Sequence, residues 1–354
     1  MKLNLKSVLD TRLNLRWKSI LGLGFLLTTA LLVMGGVIYS QGLQVAIDEL
    51  LETTRSDIEK DARTIENFIE NVQDDLLLLA GTPPVQGIIR ADDNSGLDPL
   101  TGDTAEQWRG RLEQISGAFL KYHPEYLGIC YLDEKGDELV RANLTGERVW
   151  FTPQNELQNR AQASYVTGAI RLKENEVYFS EISLQSELEE VQTPLRLLFR
   201  IAVPVYQDQK GVRGLVVFTV NGEALFADIG TAIGMTKKYI INQDGYFLVH
   251  PDQTSAPGLG FDNDHGLGNE TSNESMAEYA EGLQTSDSQV NYHRKLHHIE
   301  AFRKVYYNPQ DLTQWWAVIY DIPEAMAFKN INKARETMLV VGLFILICAL
   351  LVIM

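Results

Sequence analysis

The sequence has little cysteine and too little positive charge for a nucleic-acid partner. Only Cys130 and Cys348 are cysteines, and Cys348 lies inside an apolar run. We therefore expect no disulfide and no cysteine-based metal site. Residues 41–336 contain 26 Lys and Arg against 46 Asp and Glu. This acidic balance argues against nucleic-acid binding, and an anionic ligand would need a local basic pocket.

The sequence also lacks the residue sets that catalysis and phosphate binding require. We find no nucleophile–base–orienter set and no carboxylate pair with a defensible geometry. The Gly-rich stretch 257–269 lacks the Lys-Ser/Thr pair of a P-loop, which favours a loop. These absences predict that the chain is not an enzyme and carries no cofactor.

Two apolar runs, residues 20–39 and 337–354, contain no charged side chain. Each is long enough to cross a bilayer as a helix. The first run exceeds the roughly 7–15 residues of a signal-peptide core, so we interpret it as a retained anchor. Basic residues precede it and acidic residues follow it. The positive-inside rule then predicts a two-pass protein of the bacterial cell membrane, with residues 1–19 cytoplasmic and residues 41–336 periplasmic.

A long helical pattern follows the first run. Apolar residues recur every three or four positions, which predicts a stalk helix over 41–80 that ends at the Gly-Thr-Pro-Pro segment 81–84. We expect most of this helix to pack on the protein's own sheets, with a homodimer contact near the membrane. Thr104 and Gln107 fit a capping box at the start of another helix.

A strand–turn–strand pattern then occurs twice. The segment "YLDEKGDELVR" at 131–141 aligns with "IINQDGYFLVH" at 240–250, an offset of 109 residues. Both read as a strand, an Asx-x-x-Gly turn and a second strand. The later segments "LFRIAVPVY" and "AFRKVYYN" are also similar and align Arg200 with Arg303. We infer an internal duplication and an α+β fold, with a long N-terminal helix before tandem antiparallel sheets.

This organisation resembles the double Cache family of bacterial extracytoplasmic sensors. The segments "YLGICYLDEKGDELVR", "TPPVQGIIRA" and "NQDGYFLVHPD" are similar to segments common in the inputs of histidine kinases, diguanylate cyclases and chemoreceptors. The resemblance covers residues 41–328. It implies a membrane-distal PAS-like module over 81–228, a membrane-proximal PAS-like module over 229–322, and a juxtamembrane helix over 323–336.

The resemblance implies ligand sensing and signal transduction. A small molecule would bind in the distal module, and the second apolar run would carry the signal to a cytoplasmic output absent from this chain. A histidine kinase is the output that we expect first, before a diguanylate cyclase or a chemoreceptor. Two alternatives stay open: a scaffold that binds a partner protein, and a membrane-anchored metal-binding hydrolase, for which the histidines between 250 and 298 are the only support.

The triplet His250-Pro251-Asp252 is interpreted as the end of a hairpin strand, because proline stops strand pairing. Histidines of this region match no familiar zinc spacing, so no metal ligand is assigned.

The resemblance also bears on the ligand. Its amino-acid-binding subclass carries an arginine, an aromatic pair and a strand-end aspartate, which align here with Ala163, with Tyr165 and Val166, and with Thr219. Because one aromatic remains, we do not expect α-amino acid recognition in that manner. Two arginines of the distal module would instead hold a carboxylate or other anion bidentately. The residues expected to contact the ligand are Arg141, Tyr165, Tyr178 and Arg200.

Overall fold

The computed structural model divides into two compact units, residues 57–289 with 300–321, and residues 1–56 with 290–299 and 322–354. The residues that the structure describes are 15–185, 196–207, 210–227, 229, 232–233, 236–251, 282–293, 298–323, 333, 336–337 and 339–344.

One continuous helix, α1, runs over Leu15–Ala80 and includes the predicted stalk. It ends where predicted, before Gly81. Within the described residues, Gly22–Ala80 is the one helix that is long and apolar enough to cross a membrane, judged by length and composition alone. Residues 339–344 are helical, whereas 345–354 lie outside the described residues. The second predicted span therefore stays a prediction.

The sequence reasoning missed one of the next two helices. Helix α2 covers Pro83–Asp93, with proline at its first position, where the missing N–H leaves no hydrogen bond unmade. Helix α3 covers Ala105–Tyr122 and begins with the predicted capping box. The Thr104 Oγ1 accepts from the Gln107 N–H at 3.2 Å, and the Gln107 Oε1 accepts from the Thr104 N–H at 2.8 Å.

The first sheet is antiparallel, in the order β3-β2-β1-β7-β6-β4, with β5 paired to β6. Its strands are β1 (Tyr126–Asp133), β2 (Glu138–Thr145), β3 (Arg148–Phe151), β4 (Tyr178–Phe179), β5 (Ser183–Gln185), β6 (Arg196–Gln207) and β7 (Gly211–Asn221). A short helix, α4 (Ser164–Ala169), lies between β3 and β4 in the chain.

The second sheet has the order β10-β9-β13-β12-β11, with β8 paired to β9. Its strands are β8 (Ala232–Ile233), β9 (Thr236–Asn242), β10 (Phe247–Val249), β11 (Ser288–His293), β12 (His298–Tyr306) and β13 (Trp315–Pro323), preceded by helix α5 (Gly222–Ala227). Two sheets in tandem behind a long helix agree with the predicted α+β class. The module boundary between 228 and 229 stays a prediction.

The two predicted hairpins have equivalent turns. The Asp133 carboxylate accepts from the N–H groups two and four residues later, and the Asn242 amide oxygen does the same. Gly136 and Gly245 have φ angles of 81° and 82°, a conformation that favours glycine. The predicted strand–turn–strand pattern is therefore confirmed at both turns, and the duplication stays an inference.

One detail of the predicted organisation is wrong. Arg200 lies over the Tyr165 ring, whereas the Arg303 Nε donates to Glu59 of α1 at 3.1 Å. The two arginines thus point from opposite faces of their sheets, because a one-residue shift in alignment reverses the face of a strand residue. Pro323 is the last residue of β13, and the juxtamembrane helix expected over 323–336 lies mostly outside the described residues and stays a prediction. Proline has no N–H to donate, and Pro323 lies beyond Asp321, the last β13 residue that is paired with β9.

Helix α1 packs on the rest of its compact unit, as expected. The apolar stripe from Ile58 to Leu79 is buried. Polar contacts accompany it: the Lys238 Nζ donates to the Asp61 carboxylate at 2.7 Å, and the Tyr126 hydroxyl donates to Asp75 at 2.6 Å. The helix therefore contacts both sheets.

Candidate functional site

The predicted ligand residues meet on one face of the first sheet. Strand pairing places Arg141 of β2 beside Cys130 of β1, then Val217 of β7, Ala202 of β6 and finally Tyr178 of β4. Side chains directly opposite each other on paired strands share a face of the sheet. These five residues, the first row, therefore form a continuous line across the sheet.

A second row on the same face lies two residues along each strand. It contains Asn143 of β2, Gly128 of β1, Thr219 of β7 and Arg200 of β6. Because side chains alternate with a period of two, both rows point to the same side.

Helix α4 covers this face. Its Val166 and Ala169 belong to one buried cluster with Cys130 and other residues of the first sheet, and Tyr165 packs against the same cluster. The centre of the Arg200 guanidinium lies 5.4 Å from the centre of the Tyr165 ring, which is cation–π distance. The structure thus brings together all four residues that the sequence singled out.

Arg141 is held in place before any ligand arrives. Its Nη1 donates to the Glu138 carboxylate at 2.8 Å, and its Nε donates to the Asn143 Oδ1 at 3.1 Å. The Glu138 side chain is 1% exposed, and its second oxygen accepts from the Gln158 N–H at 3.1 Å. Two acceptors therefore fix the plane of the guanidinium, and within the described structure its Nη2 has no hydrogen-bond partner.

Arg160 is a residue of this site that the sequence reasoning missed. Its Nε donates to the Glu138 carboxylate at 3.3 Å, so one buried carboxylate bridges Arg141 and Arg160. Arg160 lies in a connection without periodicity. The one available clue was its position three residues before Ala163, where the resemblance places an arginine.

The charges of three arginines influence the pKa of the Tyr165 phenol. Burial raises the pKa of Tyr165, whereas the charges of Arg200, Arg160 and Arg141 act in the opposite direction. Burial also raises the pKa of the Cys130 thiol, and Glu138 adds to this effect. Cys130 is therefore a neutral, apolar part of the site at physiological pH.

The aspartate of the amino-acid-binding subclass aligns with an uncharged residue of this chain. Thr219 lies in the second row beside Gly128. A Cβ added at Gly128 would lie 3.6 Å from the Thr219 Oγ1 and from the Ala142 carbonyl oxygen, so this part of the floor carries only small groups. Thr219 supplies no carboxylate for an α-ammonium group.

The remaining candidate residues are the histidines between 250 and 298 and the Asp252 of the His-Pro-Asp triplet. The His250 ring packs against Tyr239 and Phe247, with centroid distances of 5.2 and 5.1 Å, which suits the strand-end interpretation. Asp252, His265 and His297 lie outside the described residues. Among the residues that are described, no group of three His, Cys, Asp or Glu side chains is arranged to hold a metal ion.

Comparison with known proteins adds to this description of two tandem antiparallel sheets behind a long N-terminal helix. Residues 92–264 match the family described as bacterial histidine kinase, sensor domain. Residues 92–264 are therefore similar to this sensor-domain family, and the resemblance to the double Cache sensors is confirmed.

Solved structures show the same fold at low sequence identity. The extracellular domain assigned to histidine kinase vpHK1S-Z8 is 15% identical, with a TM-score of 0.63 over 80% of this chain and 98% of that chain. A sensory box/GGDEF family domain from Vibrio parahaemolyticus is 15% identical, with a TM-score of 0.62 over 80% and 99%. The ligand-binding domain of Campylobacter jejuni chemoreceptor Tlp3, in complex with L-valine, is 11% identical, with a TM-score of 0.52 over 80% and 96%. Comparison with curated proteins gives no match.

Proposed function

We propose that the chain is the periplasmic sensing part of a two-pass bacterial membrane receptor and binds a small anionic molecule in its distal module. The observation that carries this proposal is the gathering of Arg141, Arg200 and Tyr165 on one covered face of the first sheet. Such a face supplies cationic donors, an aromatic wall and an apolar floor, which together make a typical small-molecule site.

Preorganisation supports binding at Arg141. Glu138 and Asn143 occupy its Nη1 and Nε, so the ligand does not have to order this side chain. A carboxylate that accepts from Nη2 would form a charge-assisted hydrogen bond, which is stronger than a neutral one. Tyr165 and Tyr178 would contact the uncharged part of the ligand.

Strand alternation connects this site to the second sheet. Arg200 faces the site, and its neighbour Phe199 points to the other face, where its ring centroid lies 6.2 Å from that of Trp316. The same holds for β4: Tyr178 faces the site, and the Phe179 ring lies 6.4 Å from that of Tyr307. Both ligand-facing strands therefore contact the second sheet through the residue next to a site residue.

The two rings contacted by Phe199 and Phe179, those of Trp316 and Tyr307, stack on each other. The rings of Tyr307 and Trp316 lie 4.3 Å apart at 21°, and Trp316 belongs to β13, the last strand among the described residues. A displacement of β6 on ligand binding would reach β13 by this contact. The ligand can bias such a displacement only by binding one arrangement more tightly than the other. The second span and a homodimer would carry the change to the cytoplasmic output.

A thermal-shift screen of the full chain in detergent tests the binding part. We expect small organic anions to raise the melting temperature, and Arg200→Ala to remove that rise. Arg148→Ala is the matched control, because Arg148 is an exposed residue of β3 in the same sheet. No stabilisation across a broad panel of anionic, neutral and cationic metabolites would contradict the proposal.

The topology has its own test. Protease added to intact spheroplasts should remove residues 41–336 from a chain carrying a cytoplasmic N-terminal tag. Protection of that region, with cleavage only after lysis, would contradict the periplasmic placement.

A further inference from the structure

We propose that Trp150 is a further ligand-contacting residue of the first sheet and that it favours a carboxylate carrying a flat aromatic ring. This inference rests on the proposed function, because it adds a contact and a chemical class to the ligand of the same site. The sequence reasoning did not single out this residue.

The strand register places Trp150 on the face of the site. Trp150 of β3 pairs with Asn143 of β2, a residue of the second row. Residues directly opposite each other share a face of the sheet, so Trp150 extends this row by one strand. The next residue, Phe151, points to the other face, where a Cβ added at Gly117 of α3 would lie 2.9 Å from its ring. Because β3 is at the end of the described strand order, Trp150 marks the outer limit of the site face.

Asn143 connects Trp150 with Arg141. Asn143 lies directly opposite Trp150, and its Oδ1 accepts from the Arg141 Nε at 3.1 Å. Arg141 is also the diagonal neighbour of Trp150 across the two strands, a separation of about 7–8 Å that aromatic and long side chains bridge. A ligand whose carboxylate accepts from the Arg141 Nη2 therefore needs only a short link to bring a ring to Trp150.

The Trp150 ring differs from the other tryptophan rings that the structure describes. Three of these stack with a cation or another ring, namely Trp108 with Arg111, Trp315 with Lys304 and Trp316 with Tyr307. Within the described part of the chain, the Trp150 ring has no such contact. Its Nε1 donates to the Thr145 Oγ1 at 3.2 Å, a hydrogen bond in the plane of the indole that does not use the ring faces.

The neighbours of Trp150 on β2 do not explain an indole at this position. Asn143 lies opposite, and Arg141 and Thr145 lie diagonal to it, so all three are polar or charged. An indole gains little from the hydrophobic effect beside such groups, and Trp150 is only partly buried. A flat ring in the ligand would supply the apolar contact, because aromatic rings favour offset stacking or edge-to-face packing.

The test compares carboxylates that differ in their ring. The full chain in detergent is titrated calorimetrically with phenylacetate and cyclohexylacetate, and with benzoate and cyclohexanecarboxylate. The members of each pair have the same carbon skeleton and charge, but one ring is aromatic and flat and the other is saturated. We expect each aromatic acid to bind about three- to ten-fold more tightly than its saturated partner. Equal or weaker binding of the aromatic acids would overturn the inference and leave the proposed function intact. So would binding of other organic anions without binding of either pair.

Variants assign the preference to Trp150. Trp150→Leu keeps apolar bulk without a flat ring and should abolish the preference, whereas Trp150→Phe should keep most of it. Phe151→Leu is the matched control, because it replaces the neighbouring aromatic residue on the opposite face, and it should keep the full preference. If Trp150→Leu keeps the full preference, the inference is wrong.

A second measurement does not require Trp150→Leu to fold. Phenylacetate should change the tryptophan fluorescence of the wild-type chain and not that of Trp150→Phe, and an equal change in both would contradict the contact. Failure of every organic anion in a broad panel to bind contradicts the proposed function itself.

Discussion

A buried ion pair fixes α1 to the second sheet, and its removal gives the sharpest stability prediction. The Asp61 carboxylate accepts from the Lys238 Nζ at 2.7 Å and from the Tyr320 hydroxyl at 2.5 Å. The Lys238 side chain is 5% exposed and that of Asp61 14%. Burial and the Asp61 charge raise the pKa of Tyr320, so this phenol stays a proton donor.

Asp61→Ala should be strongly destabilising. The variant leaves the Lys238 ammonium buried, and among the described residues its one remaining acceptor is the Ile229 carbonyl oxygen at 3.0 Å. Removing one partner of a buried pair costs about 3–5 kcal/mol. For a folded body of this size, that corresponds to a fall of roughly 10 °C in melting temperature. Tryptophan fluorescence of the full chain in detergent, followed during heating, measures the fall.

Two further variants separate the causes. Glu59, on the same helix as Asp61, is a partner of Arg303, and its side chain is 37% exposed. We therefore expect Glu59→Ala to lower the free energy of unfolding by about 1 kcal/mol or less. The double variant Asp61→Leu, Lys238→Met removes both buried charges and should recover most of the stability lost by Asp61→Ala. The Tyr320 hydroxyl would still have the Asp57 carbonyl oxygen at 3.4 Å. A double variant as unstable as the single variant would refute the reasoning that an unpaired charge causes the loss.

Four smaller predictions concern two turns, a helix cap and a buried carboxylate, each measured by the melting temperature of the full chain. Gly245→Ala should cost about 1 kcal/mol because of its positive φ. Gly136→Ala should cost more, because its new Cβ would also lie 2.7 Å from the Ala161 backbone; equal losses would contradict this. Thr104→Ala should cost about 1 kcal/mol by removing the α3 cap, and Thr104→Ser should restore most of it. The Arg90 guanidinium lowers the pKa of Asp98, so the stability this carboxylate adds is present above about pH 4 and is lost as the pH falls further. The difference between the wild-type chain and Asp98→Asn should therefore shrink in acid, and a constant difference would contradict the assignment.

Local patterns predicted much of this fold because each depends on nearby residues. The Asx-x-x-Gly turns, the Thr104 cap and the end of α1 are set within a few positions of the chain. The site was also accessible in part, because Arg141, Tyr178 and Arg200 lie on strands whose faces follow from alternation. Arg160 was not, since its place depends on a non-local bond to Glu138, 22 residues earlier. Alignment of the two halves pairs Arg200 with Arg303 although they lie on opposite faces of their sheets. Sequence similarity does not show a shift of one residue, which is enough to reverse the face of a strand residue.

The two sheets differ where a ligand would bind, and this difference explains why we place the anion site in the distal module. With the offset of 109 residues, Cys130 and Arg141 correspond to Tyr239 and His250. In the second sheet, Tyr239 is buried with Phe247 and Phe302 in an apolar cluster, and the His250 ring packs against this aromatic pair. Large rings thus fill the face that small residues and arginines occupy in the first sheet. The two hairpins share equivalent turns, whereas the cationic donors and the small-residue floor lie on the first sheet.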